Sequence, residues 1–163
     1  MTLTADRARE LFHYDDELGH LVRRKSVHYL AKEGQVPGTA VRGYRVVCVD
    51  GARFLEHRLI WLVVHGEWPE GDIDHIDGDP GNNRIGNLRD VDKHTNLQNM
   101  RRAPKSKRYS SLLGANWDRF TNSWKACIRV DGKHKHLGRF ATAEEAHEAY
   151  IAAKRKYHKG CTI

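Results

Sequence analysis

The residues best suited to catalysis or metal binding lie at positions 73–79 and among the asparagines that follow them. Asp74 offers a hard carboxylate oxygen and Asn96 offers an amide oxygen. Two such ligands leave most of the coordination shell of Mg²⁺ or Mn²⁺ open to water and phosphate. Histidine exchanges protons near neutral pH, so His75 can accept one from water. This combination suits metal-assisted hydrolysis of a phosphodiester.

The elements around this group must bring Asp74 and His75 together. Residues 73–76 predict a short strand, in which adjacent side chains point to opposite faces. The two can converge only if the strand ends or bends there, and the Gly- and Pro-rich run 77–81 predicts that it does. Turn stabilisation is the alternative role for four Asx residues of this loop, because Asx side chains favour turns: Asp77, Asp79, Asn82 and Asn83.

Two helices are predicted to flank the strand and loop. Residues 57–65 have an apolar body, and Gly66 suits the position that follows a helix end. Asp92 can cap a second helix that runs to about Met100 and carries the second oxygen ligand. Upstream, residues 1–54 predict short, mostly β elements.

The best strand candidates in that upstream region are residues 18–23 and 44–49. The turn pair Asp50-Gly51 predicts that residues 53–55 return antiparallel to the second candidate.

Composition narrows the class of protein. The chain has 163 residues, is 39% hydrophobic and contains no long apolar run, so we expect no membrane association and a cytoplasmic location. Three widely spaced cysteines argue against a disulfide framework or a Cys-based zinc site. Residues 1–100 hold 13 basic and 16 acidic residues, whereas residues 101–163 hold 15 and 5. The basic C-terminal part predicts a nucleic-acid partner.

The C-terminal part predicts a second domain. Residues 101–109 form a basic linker that could follow phosphates or act only as a tether. Beyond it, residues 112–117, 123–130 and 133–140 predict three strands, the last two joined by the tight turn Asp131-Gly132. A capping box at residues 142–145 begins a helix that Gly160 ends.

Basic and aromatic side chains recur on these strands and in the linker. Lys125 and Arg129 are separated by an even number of residues, and so are Lys133, Lys135 and Arg139. Side chains at such spacing point to the same side of a strand, so each set could line one sheet face. Trp117 and Trp124 could contact DNA or belong to the sheet core. The DNA contacts expected in this part of the chain are Arg101, Arg102, Lys105, Lys107, Arg108, Trp117, Arg119, Trp124, Lys125, Arg129, Lys133, Lys135 and Arg139.

Five short motifs lie in order within residues 55–100. They are His57-Arg58-Leu59-Ile60-Trp61, Asp74-His75-Ile76-Asp77-Gly78, Asn82-Asn83-Arg84, Asn87-Leu88-Arg89 and Asn96-Leu97-Gln98-Asn99. Together they resemble HNH endonucleases of the phage and homing type. The resemblance implies a ββα-metal fold, in which two strands and a helix clasp one divalent ion, and it implies double-stranded DNA as the substrate.

The resemblance also implies roles for individual residues. His75 would be the general base, and Asp74 and Asn96 would be the metal ligands. Asn87 would brace the loop and the orientation of the histidine. An asparagine as the third motif letter favours Mg²⁺ or Mn²⁺ over zinc. Phosphate contacts are expected from Arg84, Arg89 and His94, whereas His57 is expected to pack or to cap a helix.

Residues 110–158 carry a second set of motifs. They are Leu113-Gly114-Ala115-Asn116-Trp117, Trp124-Lys125-Ala126-Cys127-Ile128, Leu137-Gly138-Arg139-Phe140 and Glu144-Glu145-Ala146-His147-Glu148-Ala149-Tyr150. These resemble the APETALA2-type DNA-binding domain, which implies duplex DNA contacted by the sheet. Ala115-Asn116 departs from the usual pattern of that family, which affects base reading and not the fold.

The sequence therefore predicts an α+β protein with an N-terminal β-rich region and HNH nuclease domain over residues 1–100 (core 55–100). The basic linker follows at 101–109, and residues 110–163 form a three-stranded antiparallel sheet packed on one helix. We expect a monomeric, metal-dependent endonuclease that nicks duplex DNA. A DNA-binding regulator without catalysis is the main alternative, and a binder of structured RNA is a weaker one, since no RNP-type aromatic pair is evident.

Overall fold

The computed structural model describes residues 3–101, 103 and 109–163. Within these residues the fold is α+β, with four α-helices and four small antiparallel sheets. The chain divides into two compact units, Met1–Asp92 and Lys93–Ile163. No helix in the described ranges has the length and apolar character needed to cross a membrane.

The first unit begins with a helix and not with a strand. α1 spans Ala5–Leu11, and the Thr4 side chain caps it by accepting a hydrogen bond from the Arg7 backbone N–H at 3.3 Å. The prediction of mostly β structure over residues 1–54 is therefore wrong at this end. Five strands follow the helix: β1 (Phe12–Asp15), β2 (His20–Arg23), β3 (Thr39–Val41), β4 (Tyr44–Val49) and β5 (Ala52–Leu55).

The hairpin predicted at Asp50-Gly51 is confirmed, because β4 and β5 pair antiparallel across that turn. Helix α2 (Glu56–His65) follows immediately, and Gly66 takes the left-handed conformation that ends it, with φ of 87°. Leu59, Ile60 and Leu62 of α2 are buried, and α2 is the centre of an apolar core. Residues of α1, β1, β2 and β4 pack around it, among them Ala8, Phe12, Leu21 and Val47.

A two-stranded sheet completes the first unit. β6 (Asp72–His75) pairs antiparallel with β7 (Leu88–Val91), and Asp74 lies opposite Arg89. The loop between the strands contains the short 3₁₀ turn Ile85–Asn87. The strand therefore ends at His75, one residue before the predicted end at Ile76. Asp74 and His75 both lie within it, opposite Arg89 and Leu88 respectively.

The second unit contains α3 (Lys93–Gln98), β8 (Ala115–Asp118), β9 (Ser123–Val130), β10 (Lys133–Phe140) and α4 (Ala143–Tyr157). β9 and β10 have the bounds that the sequence predicts, and the capping box at Thr142 and Glu145 is present. Ala115 and Ala126 form a buried cluster with Ala143 and Ala146 of α4. Helix α4 ends at Tyr157, earlier than the predicted end at Gly160.

The C-terminal residues pack against α3 and the segment that follows it. The Gly160 backbone N–H donates to Gln98 Oε1 at 2.9 Å, and Thr162 Oγ1 donates to Asn99 Oδ1 at 2.6 Å. The Lys154 ammonium, almost fully buried, donates to the Met100 carbonyl. These contacts explain why α3 belongs to the second unit.

Candidate active site and nucleic-acid interface

Asp74 lies near the end of β6 and pairs with a cation from the neighbouring strand. Directly opposed side chains of an antiparallel pair share one sheet face. Arg89 Nε and Nη2 therefore both reach Asp74 Oδ2, at 2.9 and 2.7 Å. The Asp74 side chain is 7% exposed, and the Arg89 side chain is 27% exposed. The strand end thus holds a nearly buried carboxylate that accepts from a positive group.

His75, the last residue of β6, is buried among polar and aromatic side chains. Its Nε2 lies 3.0 Å from Asn83 Oδ1. The His57 ring stands perpendicular to it, with 5.1 Å between the ring centroids. Tyr44 is next to both rings, 6.2 Å from His75 and 5.6 Å from His57. The imidazole is therefore held at its Nε2 edge and at its face by neighbours from β4, α2 and the loop.

Asn83 is in turn held by Glu56, the first residue of α2. Asn83 Nδ2 donates to Glu56 Oε2 at 3.0 Å, and the Leu21 backbone N–H donates to Glu56 Oε1 at 3.1 Å. His20 Nδ1 and Arg45 Nε lie 2.9 and 3.5 Å from Glu56 Oε2. The Glu56 side chain is fully buried. A buried carboxylate surrounded by donors is a satisfied acceptor and fixes the groups that bind it.

Sequence analysis missed Glu56, Asn83 and Tyr44 as parts of the site. Glu56 looks like the acidic first-turn residue that helices commonly have. It also lies on the apolar stripe of α2, at the spacing of Leu59, Ile60 and Val63. A charged residue on that stripe indicates a buried partner, and this was the available clue.

Burial acts strongly on His57. It lowers the pKa of His57 from 6.5 to about 4, and the nearby His75 and Arg58 act in the same direction. The ring is therefore neutral in the folded protein at neutral pH. This agrees with the packing role expected from the sequence.

Asn87 braces the loop that follows His75. Its Nδ2 donates to Asp77 Oδ1 at 3.0 Å and to the Asn82 carbonyl at 2.8 Å, and its Oδ1 accepts from the Asp77 backbone N–H at 3.0 Å. Asp77 also accepts from the Asp79 backbone N–H and from Asn82 Nδ2. Turn chemistry is thus present at Asp77, Asp79 and Asn82. Asn87 was expected to orient the His75 ring, but the side chain that contacts His75 Nε2 is that of Asn83.

These hydrogen bonds also affect the Asp77 carboxyl. Burial acts to raise its pKa, but the Asp79 backbone N–H and the amides of Asn82 and Asn87 outweigh that effect and lower the pKa. The Asp77 carboxyl group is therefore ionised at neutral pH, and it accepts hydrogen bonds from several groups of the loop.

The two residues expected to hold a metal lie in different units. Asp74 lies on β6 in the first, and Asn96 lies on α3 in the second and is half-buried. Their donor atoms are a carboxylate and an amide oxygen, which fit a hard cation. Among the described residues, no cluster of three or more His, Cys, Asp or Glu side chains could hold a metal ion.

The other basic residues predicted near the site have varied positions. Arg84 Nη2 donates to the Glu17 carbonyl at 3.0 Å, which ties the loop to the β1–β2 turn. Arg101 Nη2 donates to Thr162 Oγ1 at 2.8 Å, within the second unit. His94 Nδ1 lies 3.2 Å from Gln98 Nε2 on α3. Four predicted DNA contacts of the linker lie outside the described residues: Arg102, Lys105, Lys107 and Arg108.

The sheet of the second unit has two faces of different composition. The register between β9 and β10 shifts between His136 and Gly138, which is a β-bulge. Opposed residues share a face, so the strand pairing defines a surface that we call the open face. It consists of Asn116, Asp118, Ser123, Lys125, Cys127, Arg129, His134, His136 and Arg139.

The bulge makes one prediction about this sheet wrong. Lys133 and Lys135 were expected on the face of Arg139, but they lie opposite Val130 and Ile128, on the side that α4 covers. The Lys135 ammonium lies 4.8 Å from the centre of the Tyr157 ring of α4. The extra residue at the bulge reverses the alternation, so Arg139 returns to the face of Lys125.

Trp117 and Trp124 form an opposed pair with 5.2 Å between their ring centroids. Trp124 packs against the buried alanine cluster, so its side chain belongs to the core of this unit. Arg139 Nη1 donates to Asp118 Oδ2 at 2.9 Å. Arg119 lies in the β8–β9 turn, with its guanidinium carbon 4.9 Å from the centre of the Phe120 ring. His134 and His136 of the open face were not predicted as contact residues.

Comparisons with known proteins are consistent with the motif pattern in the first unit. Residues 54–100 match the HNH_3 family model, described as HNH endonuclease. The chain is 37% identical over 82 residues to Protein 3.8 of Escherichia phage T7, and the match covers 50% of this chain and 66% of the phage protein. It therefore spans slightly less than two thirds of that relative. No solved structure matches the chain significantly. Residues 54–100, which contain Glu56, Asp74, His75 and Asn83, are an HNH endonuclease family domain.

Proposed function

We propose that this protein is a metal-dependent endonuclease of the homing type that hydrolyses phosphodiester bonds in double-stranded DNA. The observation that carries the proposal is the buried His75 at the end of β6, which follows Asp74 in the chain and is held by Asn83, within an HNH family domain. One such site in a monomer cuts one strand, so the expected product is a nick. The phage relative favours action in the cytoplasm of a bacterial or phage-infected cell.

His75 is proposed to accept a proton from the attacking water. This role requires an imidazole with a fixed orientation, and the contacts with Asn83, His57 and Tyr44 supply it. Asn87 is proposed to keep the loop after His75 in place, because its amide joins Asp77 to Asn82.

Asp74 and Asn96 are proposed to hold one divalent ion, Mg²⁺ or Mn²⁺. Such an ion, when bound, supplies positive charge that stabilises the phosphate and the leaving oxygen. Arg89 already pairs with Asp74 Oδ2 and orients that carboxylate. Arg84 and Arg89 are further proposed to meet substrate phosphates.

The second unit is proposed to target the enzyme to DNA through its open face. Lys125, Arg129 and Arg139 place three positive charges on that surface, and residues 101–163 carry a net charge of +10. A polyanion is the natural partner for such a face. The basic residues of the linker are proposed to add phosphate contacts. An APETALA2-type domain is the class of fold proposed for this unit.

A plasmid assay tests the proposed function. Supercoiled plasmid and genomic duplex DNA are incubated with the pure protein in Mg²⁺, in Mn²⁺ and in EDTA. Metal-dependent conversion of supercoiled plasmid to open circles, absent in EDTA, is the expected result. Stable binding of duplex DNA without metal-dependent cutting of either substrate would favour a DNA-binding regulator. Preference for structured RNA over duplex DNA in competition would contradict the assignment of substrate.

A further inference from the structure

The hydrogen bonds of Glu56 and Asn83 determine more than the position of the His75 ring. The groups around the Glu56 carboxylate are donors: the Leu21 backbone N–H, the Asn83 amide, His20 and Arg45. Because a carboxylate in this setting only accepts, Asn83 must turn its NH₂ group toward Glu56. Its carbonyl oxygen then faces His75 Nε2 at 3.0 Å.

We infer that Glu56 and Asn83 are positioning residues that hold His75 in the tautomer with its proton on Nε2. A carbonyl oxygen accepts and cannot donate, so the ring nitrogen facing it must donate. The neutral ring then carries its lone pair on Nδ1, which is the atom that accepts a proton in catalysis. The identity of the proton-accepting atom rests on the proposed function, whereas the tautomer does not.

The anchor of this relay is a backbone group that cannot be reversed. Glu56 Oε1 accepts from the Leu21 N–H of β2, and a backbone N–H can donate a hydrogen bond but cannot accept one. His20 is 26% exposed and can change its own tautomer. Asn83, in contrast, is buried and can respond only by rotating its amide.

Replacement of Glu56 by glutamine should therefore reverse the relay. The new carbonyl oxygen then stays on the buried Leu21 N–H, which places the new NH₂ group toward Asn83. Arg45 Nε, 3.5 Å from Glu56 Oε2, belongs to a side chain that is 28% exposed and can turn toward solvent. Two NH₂ groups cannot bond each other, so Asn83 should rotate and present its own NH₂ group to His75 Nε2. His75 Nε2 would then have to accept, and the proton would move to Nδ1.

Nuclear magnetic resonance reads this change directly. The full chain is labelled with ¹⁵N at histidine and studied in EDTA at about pH 8, where an ordinary imidazole is neutral. Long-range ¹H–¹⁵N correlations distinguish a ring protonated on Nε2 from one protonated on Nδ1. Loss of one set of signals in His75→Gln identifies the His75 ring. Glu10→Gln, the same chemical change at an exposed glutamate, is the matched control.

The expected result is an Nε2-protonated His75 in the wild type and in Glu10→Gln, and an Nδ1-protonated ring in Glu56→Gln. Asn83→Ala, which removes the amide, should give a mixture of both tautomers. A wild-type ring protonated on Nδ1 would overturn the inference. A folded Glu56→Gln protein, or a folded Asn83→Ala protein, that keeps the wild-type pattern would also overturn it.

Single-turnover nicking connects the tautomer to catalysis. Glu56→Gln should lower the nicking rate by roughly 10- to 100-fold, as is typical when a group that orients a reactive residue is lost. Its affinity for DNA should be unchanged. A reversed tautomer with an unchanged rate would overturn the link to cleavage. A wild type with the expected tautomer but no metal-dependent nicking would instead contradict the proposed function and leave the tautomer supported.

Discussion

Replacing His57 by phenylalanine should remove a pH dependence from the stability of the fold. His57 is 5% exposed and lies against His75 and Tyr44. Burial lowers its pKa from 6.5 to about 4. Between these two values the unfolded chain binds a proton at this residue and the folded protein does not. Stability contributed by neutral His57 is thus complete above about pH 6.5 and is lost as the pH falls toward 4.

The size of the effect follows from the pKa difference. Each pKa unit corresponds to about 1.4 kcal/mol, so lowering the pKa from 6.5 to about 4 amounts to roughly 3.5 kcal/mol in full, of which roughly 3 kcal/mol is lost by pH 4. The phenylalanine ring keeps an aromatic side chain between the two neighbours but has no proton to bind. Relative to the wild type, His57→Phe should therefore gain roughly 3 kcal/mol as the pH falls through this range.

Urea unfolding measured at intervals from pH 7 to pH 4 tests this prediction. The difference in the free energy of unfolding between variant and wild type removes contributions from groups that titrate equally in both. A difference that does not change with pH would refute the assignment of a low pKa to His57. A change of the opposite sign would mean that the folded protein favours protonated His57.

The second unit gives three further predictions. Lys125→Ala should weaken binding to duplex DNA, and the slope of log K against log [salt] should become shallower by about 0.9. Lys135→Ala removes the same charge from the face covered by α4 and should leave that slope unchanged. Equal effects of the two variants in titrations over a range of salt would contradict the assignment of faces. Gly114→Ala should lower stability by about 2 kcal/mol or more, measured by thermal or urea unfolding, because a Cβ at φ of +81° would lie 2.0 Å from Tyr150 Cγ; a neutral effect would show that the packing adjusts. Thr142→Ala should cost about 1 kcal/mol in the same measurement through loss of the helix cap, and a Thr142→Ser protein should lose much less.

Local sequence patterns predicted the elements that depend on local chemistry. The Asp131-Gly132 turn joins β9 to β10 with the predicted bounds, and the end of β6 at His75 follows from the Gly- and Pro-rich loop behind it. The turn pair Asp50-Gly51 located the β4–β5 hairpin in the same way. In each case the residues that determine the geometry lie within a few positions of it.

The remaining features depend on contacts between residues far apart in the chain. Glu56 and Asn83 are separated by 27 positions, and no local pattern indicates that they meet. The bulge after His136 changes the face of every later residue of β10, because a shift of one residue moves each following side chain to the other side of the sheet. Helix α1 was missed because Ala5–Leu11 is short, and short helices depend on tertiary packing, here on Ala8 and Leu11 in the core.

The most direct test of the proposed nuclease is the single-turnover rate of plasmid nicking in Mn²⁺ for His75→Ala beside His65→Ala. His65 is an exposed histidine at the end of α2 in the same unit, so its variant controls for purification and for loss of an imidazole. Loss of a general base should lower the rate of His75→Ala by roughly 10²- to 10⁴-fold, with DNA binding retained. His65→Ala should cut like the wild type. Equal cutting by His75→Ala and the wild type would contradict the assignment of His75 as the catalytic base.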